Sequence, residues 1–226
     1  EEEDMKGALV IPGLCDSHIH VSMTGEALYF LDLKDCPSID ELKIRLKDHI
    51  AAHPTISFIQ GINWDQDSLG RYPTRQDLDS VCMEVPVYLW RACWHIGVGN
   101  TNALERAAIS CSSKCERQVA GGVIDVHPET EIPTGILRER ACELIVATLN
   151  KKTDAEKKKF LSDGLSMCLQ RGLTSVQTND ERCITAYQTL QAENKLKTRV
   201  FLTPMHDEVS ELAAYSRLPT RTLAAL

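Results

Sequence analysis

The sequence contains no apolar run approaching the roughly 18 residues that a membrane-spanning helix requires. It also lacks any dense block of Lys or Arg. Its 25 basic residues are outnumbered by 32 acidic ones, the formal net charge is −7 and the pI is near 5.5. Neither a membrane nor a nucleic acid is therefore an expected partner. No glycine-rich phosphate loop, GxGxxG or GxxxxGK[ST], follows any candidate strand, which argues against a nucleotide-binding, doubly wound sheet. Repeats and low-complexity tracts are missing too. What is present is ordinary for a folded α/β protein: 226 residues, 43% hydrophobic and 25% charged.

The first residues, EEEDMKGALVIPG, carry no apolar leader segment, and the last, RTLAAL, form no polar tail. We expect a piece of a longer protein. The nine cysteines, an odd number spread from Cys15 to Cys183, are expected to be free thiols in a cytoplasmic protein. Cys111 and Cys115 have no second Cys or His pair at zinc-finger spacing.

Hydropathy and turn chemistry outline the elements. ALVIPGLCDSHIHV reads as a buried strand with a polar end. Ser38 to Glu41 has the form of a capping box, and Ile39, Leu42, Leu46 and Ile50 follow at helical spacing until Pro54. Ile56 to Ile59 suggests a short strand, GINWDQDSLGRYPTR a turn-rich stretch, and Thr74 a helix start. VPVYLWRACWHIGV reads as one strand rich in β-branched and aromatic residues. Residues 102–108 are expected to be helical, 110–133 an excursion outside the core, and Gly135 to Leu149 a helix. The last third alternates helix from Asp154, strand LTSVQT, helix from Glu181 and strand TRVFLTP. Short links between them imply parallel strands. A doubly wound sheet and part of a (β/α)8 barrel both satisfy that pattern.

His18 and His20 stand two apart at the end of the first strand, so both imidazoles project to one face and within reach of one cation. The other histidines have plainer readings. His49 and His53 sit near a helix end, where a cation suits the dipole. His127 lies in a loop, and His206 follows the last strand as a low-odds ligand.

Pro12, Gly13, Asp16, His18 and His20 match in place the pattern Pro-Gly-x-x-Asp-x-His-x-His, and IPGLCDSHIH resembles the first barrel strand of the metal-dependent amidohydrolases. GINWDQD, YPTRQDLD, PVYLWRACWHIGVGNTNAL, GGVID, PTGILRE and RGLTSVQ follow in order from about Gly7 to Leu202. Together they resemble amidohydrolase family 3 and its N-substituted formamide deformylase-like branch. The resemblance implies the first half of a (β/α)8 TIM-like barrel over residues 11–226, a remnant of a β-sandwich at 1–10, and an insertion around 110–133. It further implies a divalent metal, zinc by family habit, and hydrolysis of a non-peptide C–N bond in a small amide-like substrate.

Within that frame His18 and His20 are the expected metal ligands, with Asp16 behind them or simply turning the strand end. Arg91 and His95 share parity on one strand and are expected to act on the substrate or its oxyanion. Asn100 and Glu139 are expected near the substrate, and Trp64 and Asp65 on a loop over the mouth. A packing Trp, a solvated Asp, a backbone-bonded His95 and an exposed helical Glu139 are the plainer alternatives. The family's further metal ligands, on later strands, have no counterpart in this sequence. Two readings follow: a metal-dependent hydrolase represented by a piece lacking a complete site, or a non-catalytic module that works through association, with homo-oligomers possible in either.

Overall fold

Helix and strand alternate through this computed structural model, which describes residues 4–116, 118–149 and 152–204. The expectations for His206 and the C-terminal SRLPTRTLAAL fall outside the described residues. In chain order come β1 (Leu14–Ile19), α1 (Val21–Ala27), β2 (Leu31–Asp32), α2 (Ile39–Ala52), β3 (Ile59–Trp64), α3 (Gln66–Leu69) and α4 (Arg75–Asp79). They are followed by β4 (Val87–Arg91), β5 (Ile96–Gly99), α5 (Thr101–Arg106), β6 (Gln118–Val119), β7 (Gly122–Val126) and β8 (Pro133–Glu139). The last are α6 (Cys142–Val146), α7 (Asp154–Gln170), β9 (Leu173–Thr178), α8 (Ile184–Ala192) and β10 (Arg199–Leu202). None of the described helices is long and apolar enough to cross a membrane.

The chain divides into two compact units, one made of residues 1–29 with 152–226 and the other of residues 30–151. Residues 4–13 hold a turn and irregular backbone without a strand.

In the first unit β1, β9 and β10 form a parallel sheet in that order. Its core joins Val21 of α1, Leu161 and Leu165 of α7, Val176 of β9, Tyr187 and Leu190 of α8, and Val200 of β10. The parallel reading of the last third is correct. The buried reading of the first strand is not: β1 is an edge strand, and Leu9, Val10, Ile11 and Leu14 are exposed. Thr153 starts α7 with a reciprocal capping box to Glu156, and Gly172 ends it at φ +80. The Gly172 carbonyl accepts from the Leu14 amide at 2.9 Å, which brings β1 alongside β9. α1 meets α7 through Gly25 and Gly164. A Cβ at Gly25 would lie 1.8 Å from the Phe160 carbonyl oxygen.

The second unit carries a seven-stranded mixed sheet, ordered β2-β3-β4-β5-β8-β7-β6. β2, β3 and β4 run parallel; β4, β5, β8, β7 and β6 pair antiparallel. Its core gathers Leu42 and Leu46 of α2, Ile59 and Trp64 of β3, Leu89, Val98 and Ile136. Ser38 caps α2 by accepting from the Glu41 amide, but Glu41 turns to Arg45 instead of completing the box.

Three expectations are corrected here. The stretch read as one strand is an antiparallel hairpin of β4 and β5, with Leu89 opposite Val98. Residues 133–139 are strand β8, not the start of a helix, and only α6 is helical before Leu149. Residues 110–133 are not wholly an excursion, because β7 pairs with β8 and buries Ile124 and Val126.

Candidate functional site

β1 ends by delivering the two histidines. His18 lies on the strand, and His20 follows it as the residue preceding α1. Their ring centroids are 5.3 Å apart and nearly perpendicular, at 86°. A cation bound at about 2.1 Å from a ring nitrogen lies about 3.2 Å from that ring's centroid, so rings sharing one cation can be about 6.4 Å apart. By donor type and spacing the pair fits a divalent metal. It is also incomplete, since among the described residues no group of three or more His, Cys, Asp or Glu is placed to hold an ion. A catalytic zinc takes three protein ligands and a water.

Asp16 does not contact the imidazoles through hydrogen bonds. Its Oδ1 accepts from the His18 amide at 3.0 Å, which fixes the backbone of the strand end. The deeper support comes from the last residue of β9 and the turn beyond it, where sequence reading singled out no residue. Thr178 and Asp180 are both 3% exposed, and each accepts from an amide just after His20.

In the second unit the expected residues separate into pairs and core positions. Asp65 caps α3 by accepting from the Asp67 amide at 2.9 Å, and its other oxygen accepts from Arg91 Nη2 at 2.9 Å. Arg91 Nε also donates to Gln66, at 2.6 Å. Asp65 lines a cavity of about 420 Å³ together with Leu33, Lys34, Asn63, Ser68 and Ala92. The cavity opens at the carboxyl ends of β2, β3 and β4, where parallel α/β sheets commonly receive ligands.

His95 does not share a strand with Arg91, because the hairpin turn intervenes. Its Nδ1 lies 2.9 Å from Glu139 Oε2, and both side chains are well exposed. The Glu139 carboxylate raises the imidazole pKa above its ordinary value. Glu139 ends strand β8 and is not helical. Beside it in the turn, Trp94 takes φ +62 and stacks on Trp90. Burial alone would push the Cys93 thiol pKa up, yet the Arg91 guanidinium and the His95 and Ile96 amides outweigh it and lower it.

Two expected substrate residues are fully buried. Trp64 is fully buried on β3, not on a loop, and its indole donates to the Leu89 carbonyl at 2.7 Å. Asn100 is fully buried at the start of α5, where its amide oxygen accepts from Val87 and Ala103. Its amide nitrogen donates to the carbonyls of Cys82 and Val85.

The histidine pair thus stands at the end of a parallel strand in a mixed α/β fold. The chain belongs to the amidohydrolase family, whose model matches residues 1–224. It is 29% identical over 227 residues to the amidohydrolase YtcJ of Bacillus subtilis, covering 96% of this chain and 42% of that protein. It is 31% identical over 146 residues to the N-substituted formamide deformylase of Arthrobacter pascens, covering 63% of this chain and 26% of that one. The fold resembles the crystal structure of a metal-dependent hydrolase from Pyrococcus horikoshii OT3, with a TM-score of 0.66 and 28% identity. That match covers 90% of this chain and 38% of the other. The chain thus spans less than half the length of these relatives.

Proposed function

We propose that this chain supplies the first metal ligands, His18 and His20, of a hydrolase acting on a non-peptide carbon–nitrogen bond of the amide or formamide type. The observation that carries the proposal is the perpendicular pair of imidazoles, 5.3 Å between centroids, at the carboxyl end of a parallel strand in an amidohydrolase chain. The formamide deformylase among its relatives supports the bond type. β1, β9 and β10 would be strands of a (β/α)8 barrel, whose carboxyl ends form the active face.

When bound, a divalent metal, zinc in our reading, supplies a nucleophilic water near neutral pH and polarises the scissile carbonyl. The chain's own residues do the rest of what we propose. His18 and His20 would hold the ion, and Asp16 keeps the His18 backbone in place. In the second unit Arg91, held by Asp65, would bind an anionic group, and His95 with Glu139 would donate or accept a proton. The substrate would be a small molecule. Nine free thiols suit a cytoplasmic location, and self-association remains part of the proposal.

The test is metal content and turnover of N-formyl and N-acyl amines by the purified chain. Bound metal that is lost in His18→Ala and His20→Ala supports the reading. Metal retained by the double variant overturns it.

A further inference from the structure

His20 occupies the position that normally caps a helix, yet its side chain makes no capping hydrogen bond. A helix start leaves amides without intrahelical acceptors, and the preceding side chain usually supplies one. A histidine engaged with a metal is not free for that task. Here Thr178, the last residue of β9, and Asp180 just beyond it supply the acceptors instead. Thr178 Oγ1 accepts from the Val21 amide at 3.3 Å, and Asp180 Oδ1 accepts from the Ser22 amide at 2.8 Å.

Asp180 is itself held from two further sides. Its Oδ2 accepts from the Thr178 hydroxyl and from the Tyr187 hydroxyl, each at 2.7 Å. All three residues are buried, Tyr187 completely. The carboxylate therefore has three donors, a fixed orientation and little access to water. A buried charge held this way tolerates displacement poorly, because any lost donor leaves an unmet desolvation cost.

We infer that Asp180, braced by Thr178 and Tyr187, is a positioning residue that caps α1 in place of His20 and so leaves the His20 imidazole free to bind a metal. The inference rests on the proposed metal site. Asp180 acts through the backbone of Val21 and Ser22, one and two residues beyond the ligand. Partners that hydrogen-bond a ligating side chain directly commonly change metal affinity by about 10–100-fold, and a support acting through the adjacent backbone is expected at the lower end of that range.

The experiment is a Co²⁺ titration of the 226-residue chain, followed by its visible absorption, with folding checked by circular dichroism. Asp180→Ala should weaken Co²⁺ binding about tenfold or more. Asp180→Asn, whose amide can still accept from Ser22 and donate to the two hydroxyls, should recover most of that loss. Leu190→Ala lowers the stability of the same core without touching the turn, and should leave the affinity unchanged. If Asp180→Ala does not fold, Thr178→Val decides by removing only the hydroxyl contacts, with several-fold weaker binding expected. Wild-type affinity in a folded Asp180→Ala or Thr178→Val chain overturns the inference and leaves the metal site standing. An equal loss in Leu190→Ala overturns it as well. If the wild-type chain binds no Co²⁺, the metal site and the inference both fall.

Discussion

The carboxylate of Asp77 accepts from both terminal nitrogens of Arg71, at 2.7 and 2.8 Å. Thr74 adds its amide and hydroxyl, both at 2.8 Å, so the residue that closes the α4 capping box also anchors the loop before it. Burial alone would raise the Asp77 pKa, but Arg71 and Thr74 outweigh it and lower it to about 2. A carboxyl group with a depressed folded pKa stabilises fully above its unfolded value, about 3.9. That contribution is lost as pH falls toward 2.

Asp77→Ala should therefore cost about 2 kcal/mol at pH 7 and much less at pH 2. Urea denaturation at the two pH values checks this. A gap between wild type and variant that does not shrink at low pH would contradict it.

Asn100 uses all of its hydrogen-bonding capacity on backbone: two amides donate to its oxygen, and its nitrogen donates to two carbonyls. Asn100→Asp keeps the shape but turns a donor toward two carbonyls into an acceptor. The expected cost is about 3 kcal/mol, seen as a lowered Tm. Substrate affinity per folded molecule should be unaffected, since the side chain is fully buried.

Cys93 should react with iodoacetamide near neutral pH before the buried thiols Cys36, Cys111, Cys142 and Cys168. Its pKa is lowered by Arg91 and two backbone amides against an opposing effect of burial, whereas burial raises those of Cys36, Cys111, Cys142 and Cys168. Mass spectrometry of the partially alkylated native chain gives the order of labelling. Arg91→Ala should slow the labelling of Cys93 in particular.

His95 should titrate above 6.5 by NMR, because the hydrogen bond to Glu139 favours the charged imidazolium. The pair is then fully formed below the His95 midpoint for as long as Glu139 is ionised, and it loosens as pH rises through that midpoint. Glu139→Gln should bring the midpoint back down; an unchanged midpoint would rule out the pairing in solution.

Local chemistry was legible in part: Ser38 caps α2 as its spacing announces, although Glu41 turns to Arg45, Thr74 starts α4, and the His18–His20 pair follows from strand periodicity. The β4–β5 hairpin was hidden because its turn contains no Gly, Pro or Asn, and Trp94 takes the positive φ instead. β8 passed for a helix because Ile136 and Leu137 suit either period in so short an apolar run. Trp64 and Asn100 look like site residues in a motif, and only packing shows that both are buried. Asp180 carried no signal, since its partner Ser22 lies 158 residues away.

That separation has a consequence for how the protein folds. β1 and α1 are complete by residue 27, but their partners α7 and β9 begin at residues 154 and 173. Joining them means closing a loop that contains the whole of residues 30–151, at an entropic cost of about 4 kcal/mol if that loop were a flexible coil. A compact second unit would shorten the effective loop before the ends meet. Refolding should then be sequential, with Trp64 and Trp90 reporting an early phase and amide protection of Val21 and Ser22 arriving last.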